Sequence, residues 1–229
     1  MERERSSISP LFLALFAVFL TCLLASNIIA GKLIQVAGLV LPSAVILFPI
    51  TYILGDVFTE VYGFARTRRV IWLGFAANAL MSGVFVCAVA LPPPPFFQGQ
   101  AAYAAVLGTT PRIFVASLAA YWAGEFANAA VLSVLKKATG GRLLWMRTIG
   151  STIVGQSLDT AIFISIGFVG LVETPVLLQM MAAQYLFKVA YEAVLTPVTY
   201  RVVRRVKRAE GVDVFDKGVT YNPFKLGGA

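Results

Sequence analysis

Five carboxylates and one lysine lie inside stretches of this sequence that are otherwise apolar: Asp56, Glu60, Glu125, Asp159, Glu192 and Lys188. At a bilayer centre a charge costs roughly 2.5–3.5 kcal/mol on insertion scales, so it faces a partner or a water-filled cavity. One lysine cannot neutralise five acids, and a polar interior follows. Groups held this way can bind a solute, carry a proton, or pair to fix helices against one another.

Helical spacing sorts these groups into faces. Gln184, Lys188 and Glu192 sit four apart and form one stripe. Asp56 and Glu60 share a face, as do Glu125 and Asn128, and so do Gln156, Asp159 and Thr160. Glu125, Asp159 and Lys188 fall nearest the middle of their apolar runs, Asn27 nearer the outer end of its own, and Asp56 and Glu60 toward Arg66, Arg68 and Arg69. Each has a plainer reading. Asp56 and Glu60 can pair with those arginines and fix a helix end. Glu192 can be the i, i+4 partner of Lys188. Asn27, Asn128 and Gln184 can be interhelical glue worth roughly 0.6 kcal/mol each. Glu125 and Asp159 have no basic neighbour on their own runs, which makes them the strongest candidates for a solute.

The elements that must position these groups are transmembrane helices. Of 229 residues, 59% are hydrophobic and 13% charged, and the mean hydropathy is +0.81. A soluble domain of this length would not leave so little polar surface. Apolar runs long enough to cross a hydrocarbon core of ~30 Å cover roughly 10–31, 38–63, 70–91, 112–135, 148–171 and 176–203. All but three of the 19 Lys and Arg fall on one side of the resulting membrane: Arg3 and Arg5, Arg66 to Arg69, Lys136 to Arg147, and Arg201 to Lys225. The exceptions are Lys32 and Arg112 on the other side and Lys188 within the last run. Basic residues stay cytoplasmic, so the expectation is an all-α polytopic membrane protein of six transmembrane helices with both termini in the cytoplasm. It forms a single membrane domain over 1–209, with a flexible cytoplasmic tail over 210–229. The net charge of +8 then reports topology and contact with membrane lipid rather than a nucleic-acid partner.

Several chemistries are excluded. There is no histidine, which removes imidazole bases, imidazole metal sites and histidine-ligated haem. Cys22 and Cys87 lie in separate apolar runs and read as small hydrophobes rather than a disulfide or zinc pair. No Walker A sequence is present, so ATP is not hydrolysed by that route. No metal or cofactor is expected, and an aspartyl dyad such as Asp56 with Asp159 has no supporting motif. A solute carrier is favoured over an enzyme. Pro92 to Pro95 end the third run, and Phe96, Phe97 and Tyr103 suggest a short interfacial helix in the outer loop 91–111. Phe48-Pro49 is expected to kink the second helix. Small residues such as Gly74, Ala77 and Ser82 can pack helices within a protomer or between protomers, so a homo-oligomer is left open.

The ordered set of short motifs resembles the queuosine precursor transporter family, earlier labelled vitamin-uptake transporters or membrane proteins of unknown function. It comprises Ser26-Asn27, Phe48-Pro49, Tyr52 through Asp56, Glu60, Tyr62-Gly63 and Arg68. It continues with Leu107-Gly108-Thr109-Thr110-Pro111-Arg112, Ser117, Tyr121, Glu125 and Asn128. Ser151-Thr152, Gly155, Asp159-Thr160, Tyr185, Phe187 and Lys188 complete it, so that the likeness spans roughly residues 20–200. The resemblance implies uptake of 7-deazaguanine bases across a bacterial cytoplasmic membrane: 7-cyano-7-deazaguanine, 7-aminomethyl-7-deazaguanine or queuine. It also implies a six-helix layout similar to the membrane substrate-binding subunits of energy-coupling-factor importers, working without their ATPases. A carboxylate such as Glu125 or Asp159 would accept from the N1–H and amine edge of such a base. Lys188, Asn128 or Gln184 would donate to O6, and Tyr121 or Tyr185 would stack on the ring. The same polar groups would suit a vitamin or another heteroaromatic solute, or a binding subunit that relies on a separate ATPase.

Overall fold

The computed structural model describes residues 8–30, 32–36, 39–108 and 111–225. Arg3, Arg5, Thr109 and Thr110, used above for topology and resemblance, lie outside the described residues. The fold is helical, as the long apolar runs require. Six long helices, α1 (Pro10–Ile29), α2 (Phe48–Tyr62), α3 (Phe64–Ala90), α5 (Pro111–Ala138), α6 (Leu144–Phe168) and α7 (Thr174–Glu210), are joined by short connections, with the two-turn α4 (Gln100–Leu107) in the outer loop. Helix α1 starts where Pro10 needs no amide partner and the Ser9 Oγ accepts from the Phe12 N–H at 3.0 Å.

The second helix departs from expectation. Instead of running from residue 38, the chain first forms an antiparallel hairpin, β1 (Leu33–Val36) with β2 (Leu39–Pro42), in the register Leu33↔Pro42 to Val36↔Leu39, and then one 3-10 turn. Ile34, Val36 and Val40 favour extended backbone, and Pro42 biases the residue before it away from helix. Pro49 does not kink α2, because it sits in the first turn, where its missing N–H costs nothing.

The long helices alternate in direction, and their basic ends meet. Phe12, near the start of α1, packs edge-on against Tyr62, near the end of α2, at 4.9 Å between centroids. Tyr62, Phe58, Val57 and Phe19 form a buried apolar core there with Val203 and Val206 of α7. Helix α5 packs most extensively on α6, through two glycines. A Cβ on Gly124 would come 2.8 Å from the Asp159 Cβ, and one on Gly155 would come 2.9 Å from the Gly124 carbonyl oxygen. Small residues let the two backbones touch.

Among the described residues four stretches are long and apolar enough to cross a membrane: α1, α3, α6 and Gln100–Ala138, which contains α5. Helix α2 is too short at 15 residues, and α7, at 37, is diluted by charge. These are the two helices that contribute Asp56, Glu60, Lys188 and Glu192.

The tail read from sequence as a flexible end docks instead. The Val214 N–H donates to the Val61 carbonyl, and both Asp216 oxygens accept from the Phe64 N–H, at 2.9 and 3.1 Å. A carboxylate thereby caps the start of α3. Arg68 donates to the carbonyls of Thr220 and Asn222, and the Trp72 indole to that of Pro223. Gly63, at φ +83°, makes this possible: a Cβ would lie 2.7 Å from the Val214 Cγ1 and 2.8 Å from the Asp216 Oδ1. Gly63→Ala should therefore destabilise the protein by about 1–3 kcal/mol and expose the tail, read as a lower melting temperature and faster cleavage after Lys217 in detergent.

Candidate functional site

Two layers of buried charge occupy the bundle. The first is built on Glu60, which has 0% exposure. Its Oε1 accepts from the Arg147 Nη2 at 2.7 Å and the Lys207 Nζ at 2.8 Å, with the Lys136 Nζ 3.8 Å away. Lys136 also donates to the Glu60 and Val214 carbonyls and pairs with Asp213. Helices α2, α5, α6 and α7 and the tail thus share one ionic cluster. The pairing of Glu60 with Arg66, Arg68 or Arg69 expected from sequence is not made. Arg68 is taken by the tail, Arg66 lies over the Tyr62 ring, and Arg69 is exposed. Those arginines lie beyond Gly63 on α3, and Arg147 and Lys207 already occupy the Glu60 carboxylate.

This layer generates two predictions. Glu60→Gln leaves three buried or half-buried cations short of their anion and should cost about 3–5 kcal/mol, while Arg69→Ala stays within about 0.5 kcal/mol. Thermal unfolding of the two variants side by side checks this. At Asp213, burial works to raise the carboxyl, but hydrogen bonds from Lys136 and Lys207 outweigh it and hold the group below the ordinary aspartate value. A depressed folded value means a contribution that is complete above the ordinary range and lost as the pH falls through the folded value. Amide exchange of the tail should accelerate in that acidic window, and Asp213→Asn should remove that step.

The second layer lies one or more turns deeper. Asp159 of α6 is ion-paired with Lys188 of α7, and their side chains keep 23% and 15% exposure, so the pair stays reachable. Glu125 of α5 is close enough to feel both charges, and its Oε2 lies beside Gly55 of α2. Asp56 of α2, 2% exposed, is hydrogen-bonded to the side chain of Asn128 and lies within the field of Glu192 and Glu125. Glu192 is 1% exposed, and neither of its oxygens has a hydrogen-bond partner among the described residues. The i, i+4 pair of Lys188 with Glu192 expected from sequence is not formed, because Asp159 across the helix interface takes the lysine.

Of the residues singled out from sequence, Glu125, Asp159, Lys188, Asn128, Asp56 and Glu192 are therefore brought together. Tyr121 joins them: it is near Glu125, and its hydroxyl presses on Gly74 of α3 and donates weakly to the Ile71 carbonyl at 3.5 Å. Asn27 does not join. Its amide donates to the Asn78 Oδ1 at 3.1 Å and to the Leu23 carbonyl, which ties α1 to α3. Gln184 and Tyr185 lie on α7, half-buried, with no hydrogen bond among the described residues. Sequence reasoning missed the role of Tyr52, which faces Asp159, Glu125 and Glu192 at once. Its place one turn before Asp56 was the available signal. Two surface cavities of about 600 and 350 Å³ lie at the basic end, the larger lined by Arg201, Arg204, Arg205 and Arg208 of α7. Neither reaches Asp159, so the deeper layer is the candidate site on chemistry rather than on open volume.

A helical bundle with long apolar spans and a charged interior defines a membrane transport protein, and the comparisons agree. The chain belongs to the family described as "Putative vitamin uptake transporter", which matches residues 42–202. It is a multi-pass protein of the bacterial inner membrane. It is similar to a "Probable queuosine precursor transporter" of Bacillus subtilis (strain 168), 28% identical over 186 residues, covering 81% of each chain. No solved structure matches.

Proposed function

We propose that the protein carries queuosine precursors, 7-deazaguanine bases, across the bacterial cytoplasmic membrane, with six membrane-crossing helices and both termini in the cytoplasm. The single observation that supports it most is the partly exposed Asp159–Lys188 pair beside Glu125. A carboxylate and an ammonium side by side match the adjacent donor edge and O6 acceptor of a guanine-like ring. Asp159 or Glu125 accepts from N1–H and the exocyclic amine, Lys188 donates to O6, and Tyr121, or Tyr185 on α7, offers an aromatic face.

The gathering of the ends of α2, α5 and α7 and the start of α6 at Glu60 supports an even number of crossings with the basic ends on one side. On this reading the layout would be similar to that of the membrane substrate-binding subunits of energy-coupling-factor importers. A vitamin or another heteroaromatic solute is the second reading, favoured by the family's description, and dependence on a separate ATPase is its companion.

Thermal stabilisation of the detergent-purified protein tests the assignment, because a ligand that binds only the folded state raises the melting temperature. 7-Cyano-7-deazaguanine, 7-aminomethyl-7-deazaguanine or queuine should stabilise it more than guanine, which presents the same edge without the 7-substituent, and riboflavin should not. Asp159→Asn or Glu125→Gln should weaken binding at least about tenfold, the loss of one charge-assisted hydrogen bond or more. Full binding in both variants rejects these roles, and stabilisation by riboflavin alone moves the substrate to the vitamins. Uptake in cells lacking any importer ATPase separates a lone carrier from a subunit.

A further inference from the structure

We propose, on the transporter reading above, that Glu192 is a proton-binding switch: protonated, it leaves Lys188 on Asp159 and the solute site assembled; deprotonated, it draws Lys188 away and dismantles that site.

Glu192 is 1% exposed, and both oxygens lack a partner among the described residues; Asp56 Oδ2 is in the same condition. Asp56 lies in the field of Glu192, of Glu125 from α5 and of Glu60 from its own helix, and Tyr52 of α2 lies in the field of Glu192 as well as of Glu125, Asp159 and Tyr191. Lys188 sits one turn before Glu192 on α7. The cations at the basic end are engaged by Glu60, and Lys188 is engaged by Asp159. A buried carboxylate ion with acids around it and no donor is far costlier than the neutral acid. Among the described residues no three acidic or thiol groups converge as metal ligands, and a proton is the cation that a pair of carboxyls can hold without such a cage.

The alternative partner is already in place. Lys188 and Glu192 are one turn apart, and i, i+4 side chains on a helix have Cβ atoms about 5–6 Å apart. The lysine therefore reaches Glu192 by rotating its stem, with no movement of α7. The exchange balances in atoms and charge. Glu192–H with the Asp159⁻–Lys188⁺ pair becomes the Glu192⁻–Lys188⁺ pair, an unpaired Asp159⁻ and one free proton. Asp159, the more exposed of the two acids, is the one that water can then solvate. The ammonium is lost from beside O6, and the solute loses one of its two anchors. Loading is thus favoured on the acidic face of the membrane and release on the alkaline face, which makes the carrier a proton symporter.

The full-length protein in lipid nanodiscs provides the test, with 7-cyano-7-deazaguanine as the probe. Its affinity for the wild type should fall as the pH rises, approaching about tenfold per unit once Glu192 is deprotonated in the free protein. Glu192→Gln, a permanent mimic of the protonated acid, should flatten that profile. A flat wild-type profile, or an unchanged slope in Glu192→Gln, overturns the proposal. A second readout needs no ligand: the infrared carbonyl band of a protonated carboxylic acid should be present in the wild type at neutral pH and reduced in Glu192→Gln. Absence of that band in the wild type overturns the switch whether or not the probe binds. The band without binding of the probe upholds the proton site and rejects the deazaguanine reading alone.

Discussion

A buried anion cannot stand alone, and Glu60, fully enclosed between helices, organises the basic end of the bundle because of it. Its carboxylate gathers Arg147 from α6 and Lys207 from α7, and Lys136 from α5 approaches the same oxygen. Three cations around one anion need a further acid, and Asp213 supplies it to both lysines. Asp213 brings the tail down, Val214 pairs with Val61, and Asp216 then caps α3. The connection between α2 and α3 and the closing of the tail over it follow from the charge balance of one side chain.

The deeper layer shows the opposite balance. Asp56 lies one turn before Glu60 on the same helix, yet it has no cation, and its neighbours are acids and amides. Stability is concentrated where cations are in excess, and lability where acids are. The single lysine of the deeper layer is the group whose position matters most, since it pairs with Asp159, acts on Glu125 and lies one turn from Glu192. A carrier needs this division, because a rigid closed end keeps the bundle intact while a loosely compensated centre rearranges around cargo.

Much of this was legible in the chain. Apolar runs located the long helices to within a few residues at most ends, and charge in the wrong solvent pointed to Glu125, Asp159 and Lys188. Spacing and proximity along the chain, however, see only local neighbours. They offered Glu192 as a partner for Lys188 and the next basic cluster as partners for Glu60, whereas the structure pairs each across a helix interface. Arg147 and Lys207 looked like ordinary topology residues because nothing local says that a basic residue at a helix end turns inward. The hairpin before α2 was hidden inside an apolar stretch where composition cannot tell strand from helix. The tail was misread for the same reason as Glu60: its contacts are with residues about 150 positions away.

The glycine contact between α5 and α6 has a mechanical consequence. Where Gly124 and Gly155 bring backbone against backbone, there is no layer of side chains that could deform to let one helix slide past the other. Asn128 and Glu125 on one helix and Asp159 on the other are thereby fixed to a common wall. Lys188, which completes the site, comes instead from α7, so the two halves of the site are held by different kinds of contact: backbone on backbone between α5 and α6, and an ion pair between α6 and α7.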